Sequence, residues 1–174
     1  ADGFSSDVIS YWPTTKKKKL TKNSYMQTSY DHFFESPGPG CSHVFSTISF
    51  NNFQNFLKKN KEVVQDFDYH DWLIYAFYKE NSYKWIISDV PKMLYVQHGA
   101  NQIGTNAGIR GKLKRLRMIR SGWYKSQVLI LAKLFNNAEI QDSLFKFMLK
   151  NCFSLRRRKA QSLLLFLLIT LGIL

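Results

Sequence analysis

A chain of 174 residues that is 45% apolar and 16% aromatic is neither disordered nor too short to bury a core of its own. Its net charge of +13 is lopsided, since residues 1–105 carry 11 Lys and Arg against 10 Asp and Glu, and residues 106–174 carry 14 against 2. That asymmetry directs attention to an anionic partner, either nucleic acid or membrane.

The chain opens on ADGFSSDV, with no initiator Met and no charged start before an apolar run. No signal peptide is expected, and the opening reads as if cut from something longer. Residues 1–30 look polar and irregular, and the block Lys16-Lys17-Lys18-Lys19 reads as a solvated loop. Pro37-Gly38-Pro39-Gly40 forces a turn. CSHVFSTISF alternates and starts as a strand, and NNFQNFLKKNKEVV places Phe53, Phe56, Leu57 and Val64 at helical spacing. From His70 the pattern Trp72, Leu73, Tyr75, Ala76, Phe77 predicts a helix, followed by strand candidates in KWIISD and MLYVQH on either side of Pro91. A helix leading into strands is an α/β pattern.

From Ile109 the character changes. Leu113, Leu116, Ile119 and Trp123 alternate with Lys112, Lys114, Arg115, Arg117 and Arg120, which predicts a basic amphipathic helix. Further helices are expected around 125–135 and 138–150. The chain ends in Arg156-Arg157-Arg158-Lys159 and QSLLLFLLITLGIL. The run from Leu163 to Leu174 is 12 residues, against about 20 for a spanning helix. It therefore suits an interfacial or core helix, and the adjoining basic cluster suits an anionic membrane surface. Two regions are expected, 1–108 and a basic helical tail over 109–174. Cys41 and Cys152 lack CxxC spacing and give no disulfide framework or zinc site.

The stretch DFDYHDW crowds Asp66, Asp68, His70 and Asp71 together. D-x-D is a form that binds a divalent cation and nucleotide phosphates, though three-letter matches are common by chance. At a helix start, Asp71 is favoured by the helix dipole and can be a capping residue with no further role. His98 leaves a strand candidate into a Gly/Asn loop, where imidazole can meet a metal or a phosphate. Gly99 and Gly104 do not make a phosphate loop, because no GK[ST] follows.

FFESPGPGCSHVFS, then HDWLIYAFYKENSYKWIISDVPKMLYVQHGANQIGTNAG, then a basic helical segment, together resemble the C-terminal half of bacterial family 2 glycosyltransferases of the rhamnosyltransferase-like kind, from about Asp31 to Trp123. The resemblance implies the glycosyltransferase A-type nucleotide-diphospho-sugar fold and inverting sugar transfer assisted by Mg²⁺ or Mn²⁺. It implies Asp71 as general base and His98 near the donor diphosphate and metal. It also implies that Gly38, Pro39 and Gly40 border the acceptor site, with Trp72 beside the base as a further acceptor-site residue that either shapes the pocket or packs. The family's nucleotide-binding half and its D-x-D lie upstream of these motifs, so the chain is expected to be a truncated form. Asp66-Phe67-Asp68 is not their replacement. Val96 stands where the family usually has arginine.

The expected function is transfer of a sugar such as rhamnose to a growing surface polysaccharide or lipid-linked acceptor. The expected setting is cytoplasmic, peripheral on the inner face of the bacterial plasma membrane, with no nucleic acid bound. The alternative is a non-catalytic basic module that binds anionic membrane or nucleic acid.

Overall fold

The computed structural model describes residues 1–97 and 117–170. The first thirty residues, expected to be irregular, hold three strands: β1 (Gly3–Ser6), β2 (Val8–Trp12) and β3 (Lys17–Thr21). They escape a hydrophobicity reading because β1 buries serines. Ser5 and Ser6 are fully buried, and the Ser5 hydroxyl donates to the Pro37 carbonyl at 3.1 Å and accepts from Trp85 Nε1 at 3.0 Å. Lys17, Lys18 and Lys19 of the lysine block start β3, exposed at the edge of its sheet, and Lys16 ends the turn before it. Lysines there keep the open edge from pairing with another chain.

Two three-stranded sheets follow. In the first, β1 lies between β4 (Val44–Phe45), antiparallel, and β5 (Trp85–Ser88), parallel, with Gly3 opposite Trp85 and Ser6 opposite Ser88. In the second, β2 lies between β3, antiparallel, and β6 (Leu94–Val96), parallel, with Ile9 opposite Leu94. Only Asp7 separates β1 from β2. Its buried carboxylate accepts the backbone N–H groups of Asn23 at 2.6 Å and Ser24 at 2.9 Å, and the Ser24 hydroxyl at 2.9 Å. Those bonds compensate its burial and pin the segment after β3 to the strand junction.

Between β1 and β5 run α1 (Thr47–Lys59), α2 (Lys61–Val64) and α3 (His70–Glu80). Ser46 caps α1, its hydroxyl accepting the Ser49 N–H. The helix expected from His70 and the strands expected in KWIISD and MLYVQH are therefore present. CSHVFSTISF supplies only the two residues of β4 before α1 begins. A parallel strand pair needs such a helical crossover, and the fold is mixed α/β.

After helical residues 117–120, the C-terminal part holds α4 (Trp123–Leu134), α5 (Ala138–Asp142), α6 (Leu144–Lys150), a 3-10 turn (Cys152–Ser154) and α7 (Lys159–Thr170). They do not form a separate layer. One buried cluster joins Phe33, Trp72, Tyr75 and Trp85 to Leu131, Ile140, Phe147 and Leu155, so the core crosses the expected division between 108 and 109. On α7, Ser162 and Leu165 are buried, whereas Leu163, Leu164 and Leu167 are exposed. Among the described residues no helix is long and apolar enough to cross a membrane.

Candidate functional site

The start of α3 meets the glycine loop. Gly38 has φ +134°, a backbone region essentially closed to residues with a Cβ. Gly40 fits for a different reason. A Cβ built there would lie 2.7 Å from His70 Nε2 and 3.3 Å from Asp71 Cβ. The turn PGPG and the motif HDW, thirty residues apart in sequence, are thus packed against each other.

Both face a cleft of about 660 Å³ lined by Gly38, Pro39, Gly40, His70 and Asp71, and on another side by Lys22, Tyr25 and Tyr95. Asp71 sits in the first turn of α3, half-buried, its Oδ1 accepting the Trp72 N–H at 2.9 Å. Burial pushes its carboxyl above the ordinary carboxylate value, against the opposing influence of His70, nearby backbone N–H groups and the Ser36 hydroxyl. A carboxylate raised in this way, yet open to a cleft, is a stronger proton acceptor than an ordinary one.

The C-terminal arginines, expected at a membrane surface, complete the cleft instead. Arg156, Arg157 and Arg158 line it together with Glu35 and Ser36. Arg157 is buried. Its Nη1 donates to Asp31 Oδ2 at 3.2 Å, its Nη2 donates to the Ser36 carbonyl at 2.5 Å, and its backbone N–H donates to Glu35 Oε1 at 2.6 Å. The Arg156 guanidinium donates to the Phe34 carbonyl. These bonds clamp residues 31–36 between α3 and the C-terminal segment. Only the charge of RRRK was visible in the sequence, since nothing in it shows an arginine folding back onto a segment 120 residues earlier.

The remaining expected site residues fall elsewhere. Trp72 is in the core rather than on the cleft surface: its Nε1 donates to the His32 carbonyl at 2.8 Å, and its ring stacks on Tyr124 with centroids 5.8 Å apart. It stands behind the base and supports the helix start from the inside. His98 lies outside the described residues. Asp66 and Asp68 anchor α4: the Asp66 carbonyl accepts Gln127 Nε2 at 3.2 Å, and the Asp68 carboxylate accepts Trp123 Nε1. Among the described residues no three His, Cys, Asp or Glu side chains are placed to hold a metal.

No family model matches the chain, and no solved structure matches it. Among curated proteins it is similar to the dTDP-rhamnosyl transferase RfbG of Shigella flexneri, with 36% identity over 180 aligned residues. The alignment takes in 99% of this chain and 62% of that protein's length. The likeness thus runs along nearly the whole chain, which is similar to a rhamnosyl transferase and spans about three fifths of that protein's length.

Proposed function

We propose that this chain supplies the acceptor-binding and catalytic-base part of an inverting glycosyltransferase. The donor is dTDP-rhamnose or a similar nucleotide-diphospho-sugar, and the acceptor is a growing surface polysaccharide or a lipid-linked glycan. The observation that carries this reading is the packing of Gly40 against His70 and Asp71 at the wall of one cleft, in a chain with a rhamnosyl transferase as its relative.

An acceptor hydroxyl in the cleft donates its hydrogen bond to the Asp71 carboxylate. As its oxygen attacks the anomeric carbon, the proton passes to Asp71, the bond from that carbon to the diphosphate oxygen breaks, and the nucleotide diphosphate leaves with the electron pair. Attack opposite the leaving group inverts the anomeric centre. The raised pKa of Asp71 brings base strength closer to what the transferred proton requires. The firm seat of α3 on Trp72 and the glycine loop fixes the base against the acceptor.

The Mg²⁺ or Mn²⁺ ion implied by the resemblance does not find a ligand set among the described residues, where Glu35 is paired with Arg157. No step is routed through it. For the setting, we take peripheral attachment to the inner, cytoplasmic face of the plasma membrane as the working position. The exposed Leu163, Leu164 and Leu167 beside Lys159 give α7 an apolar face flanked by positive charge, which suits an anionic interface. A purely basic binding module is disfavoured, because Arg156 and Arg157 direct their donors into the fold.

The test is rhamnose transfer from dTDP-rhamnose to glycan acceptor by this chain with the preceding segment of the relative fused ahead of it. Asp71→Asn should lower the rate by roughly 10²–10⁴-fold with an unchanged unfolding midpoint. Full activity in that variant would remove Asp71 as the base.

A further inference from the structure

Tyr25, Tyr69 and Tyr95 line the cleft, and they differ from the tyrosines that build the core. Tyr75 donates to Asp31 Oδ2 at 2.8 Å, Tyr78 shares a hydrogen bond with Ser49 Oγ at 2.8 Å, Tyr83 accepts from Asn52 Nδ2 at 2.7 Å, and Tyr124 donates to the Phe34 carbonyl at 2.7 Å. The hydroxyls of Tyr69 and Tyr95 bond to no protein group among the described residues. A half-buried phenol left open toward a cleft is a hydrogen-bonding group available to a ligand.

Each of these two rings is held by a different element. Tyr95 stands in the middle of β6 opposite Ser10, on the face that turns Val8 and Thr21 to the cleft, while Leu94 and Val96 are exposed on the other face. Tyr69 immediately precedes α3, and its ring meets the Trp123 ring edge-on with centroids 5.1 Å apart. Trp123 is fixed in turn by its bond to the Asp68 carboxylate. Burial raises both phenols above their ordinary 10, and Asp71 raises them further, after Cys41 for Tyr95 and after Asp68 for Tyr69. Both hydroxyls therefore lie in the field of the proposed base. Tyr25 is less available, because Lys22 Nζ sits 5.4 Å from its ring centroid.

We infer that Tyr69 and Tyr95 are specificity-determining residues that hold the ring of the acceptor sugar, a neutral pyranose, with its reacting hydroxyl turned to Asp71. The inference rests on the reading of this cleft as the transfer site. The C–H face of a pyranose packs on an aromatic ring, and its hydroxyls pair with a phenol as donor or as acceptor. A linear alcohol offers a hydroxyl to the base but no ring face to the tyrosines. Two rigid aromatic groups on separate elements therefore favour a cyclic polyol over a linear one, and they hold it in one orientation against the base.

The experiment titrates the full 174-residue chain, followed by NMR, with the methyl pyranosides of rhamnose, glucose and galactose, and with a linear hexanediol. At least one pyranoside should bind and the diol should not. Tyr95→Phe, which keeps the ring, should weaken pyranoside binding roughly 2–10-fold through loss of one hydrogen bond. Tyr95→Ala should weaken it roughly 10-fold or more, ring and hydroxyl both being gone. Tyr69→Phe and Tyr69→Ala should fall in the same order, all four with folded, dispersed spectra. Tyr83→Phe, which loses a hydroxyl bonded to Asn52 away from the cleft, should bind like the parent. In the fused enzyme Tyr95→Phe should raise the KM for acceptor and leave the KM for dTDP-rhamnose in place. No pyranoside binding, equal binding of the diol, or equal weakening in Tyr83→Phe would each overturn the subsite, as would a rise confined to the donor KM. Pyranoside binding depends on no turnover, so its indifference to Tyr69 and Tyr95 with Asp71-dependent transfer intact removes the subsite alone. Tyr95-dependent binding with a fully active Asp71→Asn enzyme removes the base alone.

Discussion

Arg157 reaches Asp31 across the whole chain, Nη1 to Oδ2 at 3.2 Å, with its guanidinium 5.5 Å from the centroid of the Tyr75 ring. Both side chains are buried, and Tyr75 adds its own hydroxyl to Asp31 Oδ2 at 2.8 Å. Removing the arginine strands a carboxylate away from water. Arg157→Ala should therefore cost about 3–5 kcal/mol in urea unfolding. Asp31→Asn/Arg157→Met should cost less than the two single changes added together, since neither charge is then left alone. Strict additivity would mean that the pair does not act as a unit.

The same cluster makes stability depend on pH from both sides. Burial by itself would raise the Asp31 carboxyl, but His32, Arg157, Tyr75 and Lys79 together hold it below its ordinary 3.8. A depressed carboxyl contributes stability above that value and loses it as pH falls through the lower folded value. Burial by itself would lower His32, but Asp31 and Glu80 hold it above its ordinary 6.5, Nε2 lying 2.6 Å from Glu80 Oε1. A raised histidine contributes stability below 6.5 and loses it as pH rises through the folded value. Unfolding free energy should thus decline as pH rises above 6.5, and His32→Gln should flatten that decline. An unchanged slope in the variant would exclude His32 as its source.

Gly40 offers a separation of geometry from stability. The Cβ of Gly40→Ala would press on His70 Nε2 at 2.7 Å. That nitrogen is the far end of an exposed side chain and can swing away, so the stability cost should stay below about 1 kcal/mol. Sugar transfer in the fused enzyme should nonetheless fall, because the imidazole is displaced next to Asp71. His70→Ala in the Gly40→Ala background should recover part of the lost rate if crowding is the cause. No recovery would point to the loop backbone instead.

Trp72 should act on stability alone. Trp72→Phe deletes the indole N–H and leaves the buried His32 carbonyl without that donor, a loss of about 1–3 kcal/mol. The KM for acceptor should stay within twofold, since the ring faces the core. A large rise in KM with little change in unfolding would return Trp72 to the acceptor site.

Ser36, whose hydroxyl donates to the Gly38 carbonyl at 3.4 Å, is also placed to act on the base. Its hydroxyl favours the charged form of Asp71, opposing the larger effect of burial. Ser36→Ala should move the acidic limb of the kcat/KM profile of the fused enzyme to higher pH, since a group that lowered the Asp71 pKa has gone. A limb that stays in place would detach it from Asp71.

Local pattern determined a good deal about this protein. The aromatic run after His70 sets a helix with Asp71 in its first turn, because apolar residues at helical spacing need one face to bury. PGPG sets a turn, and the likeness to a rhamnosyl transferase runs along nearly the whole chain. The strands of the first thirty residues were hidden because buried serines and edge lysines replace the hydrophobic alternation that marks a strand. Tertiary structure alone decided that Trp72 turns inward while Asp71 faces the cleft, one residue apart on the same helix. It also decided that the C-terminal arginines leave the basic surface to brace and line that cleft. Composition records how much charge a chain carries, but the partner each charge meets is set by contacts between residues about 120 positions apart, where a buried carboxylate and backbone carbonyls accept the arginine donors.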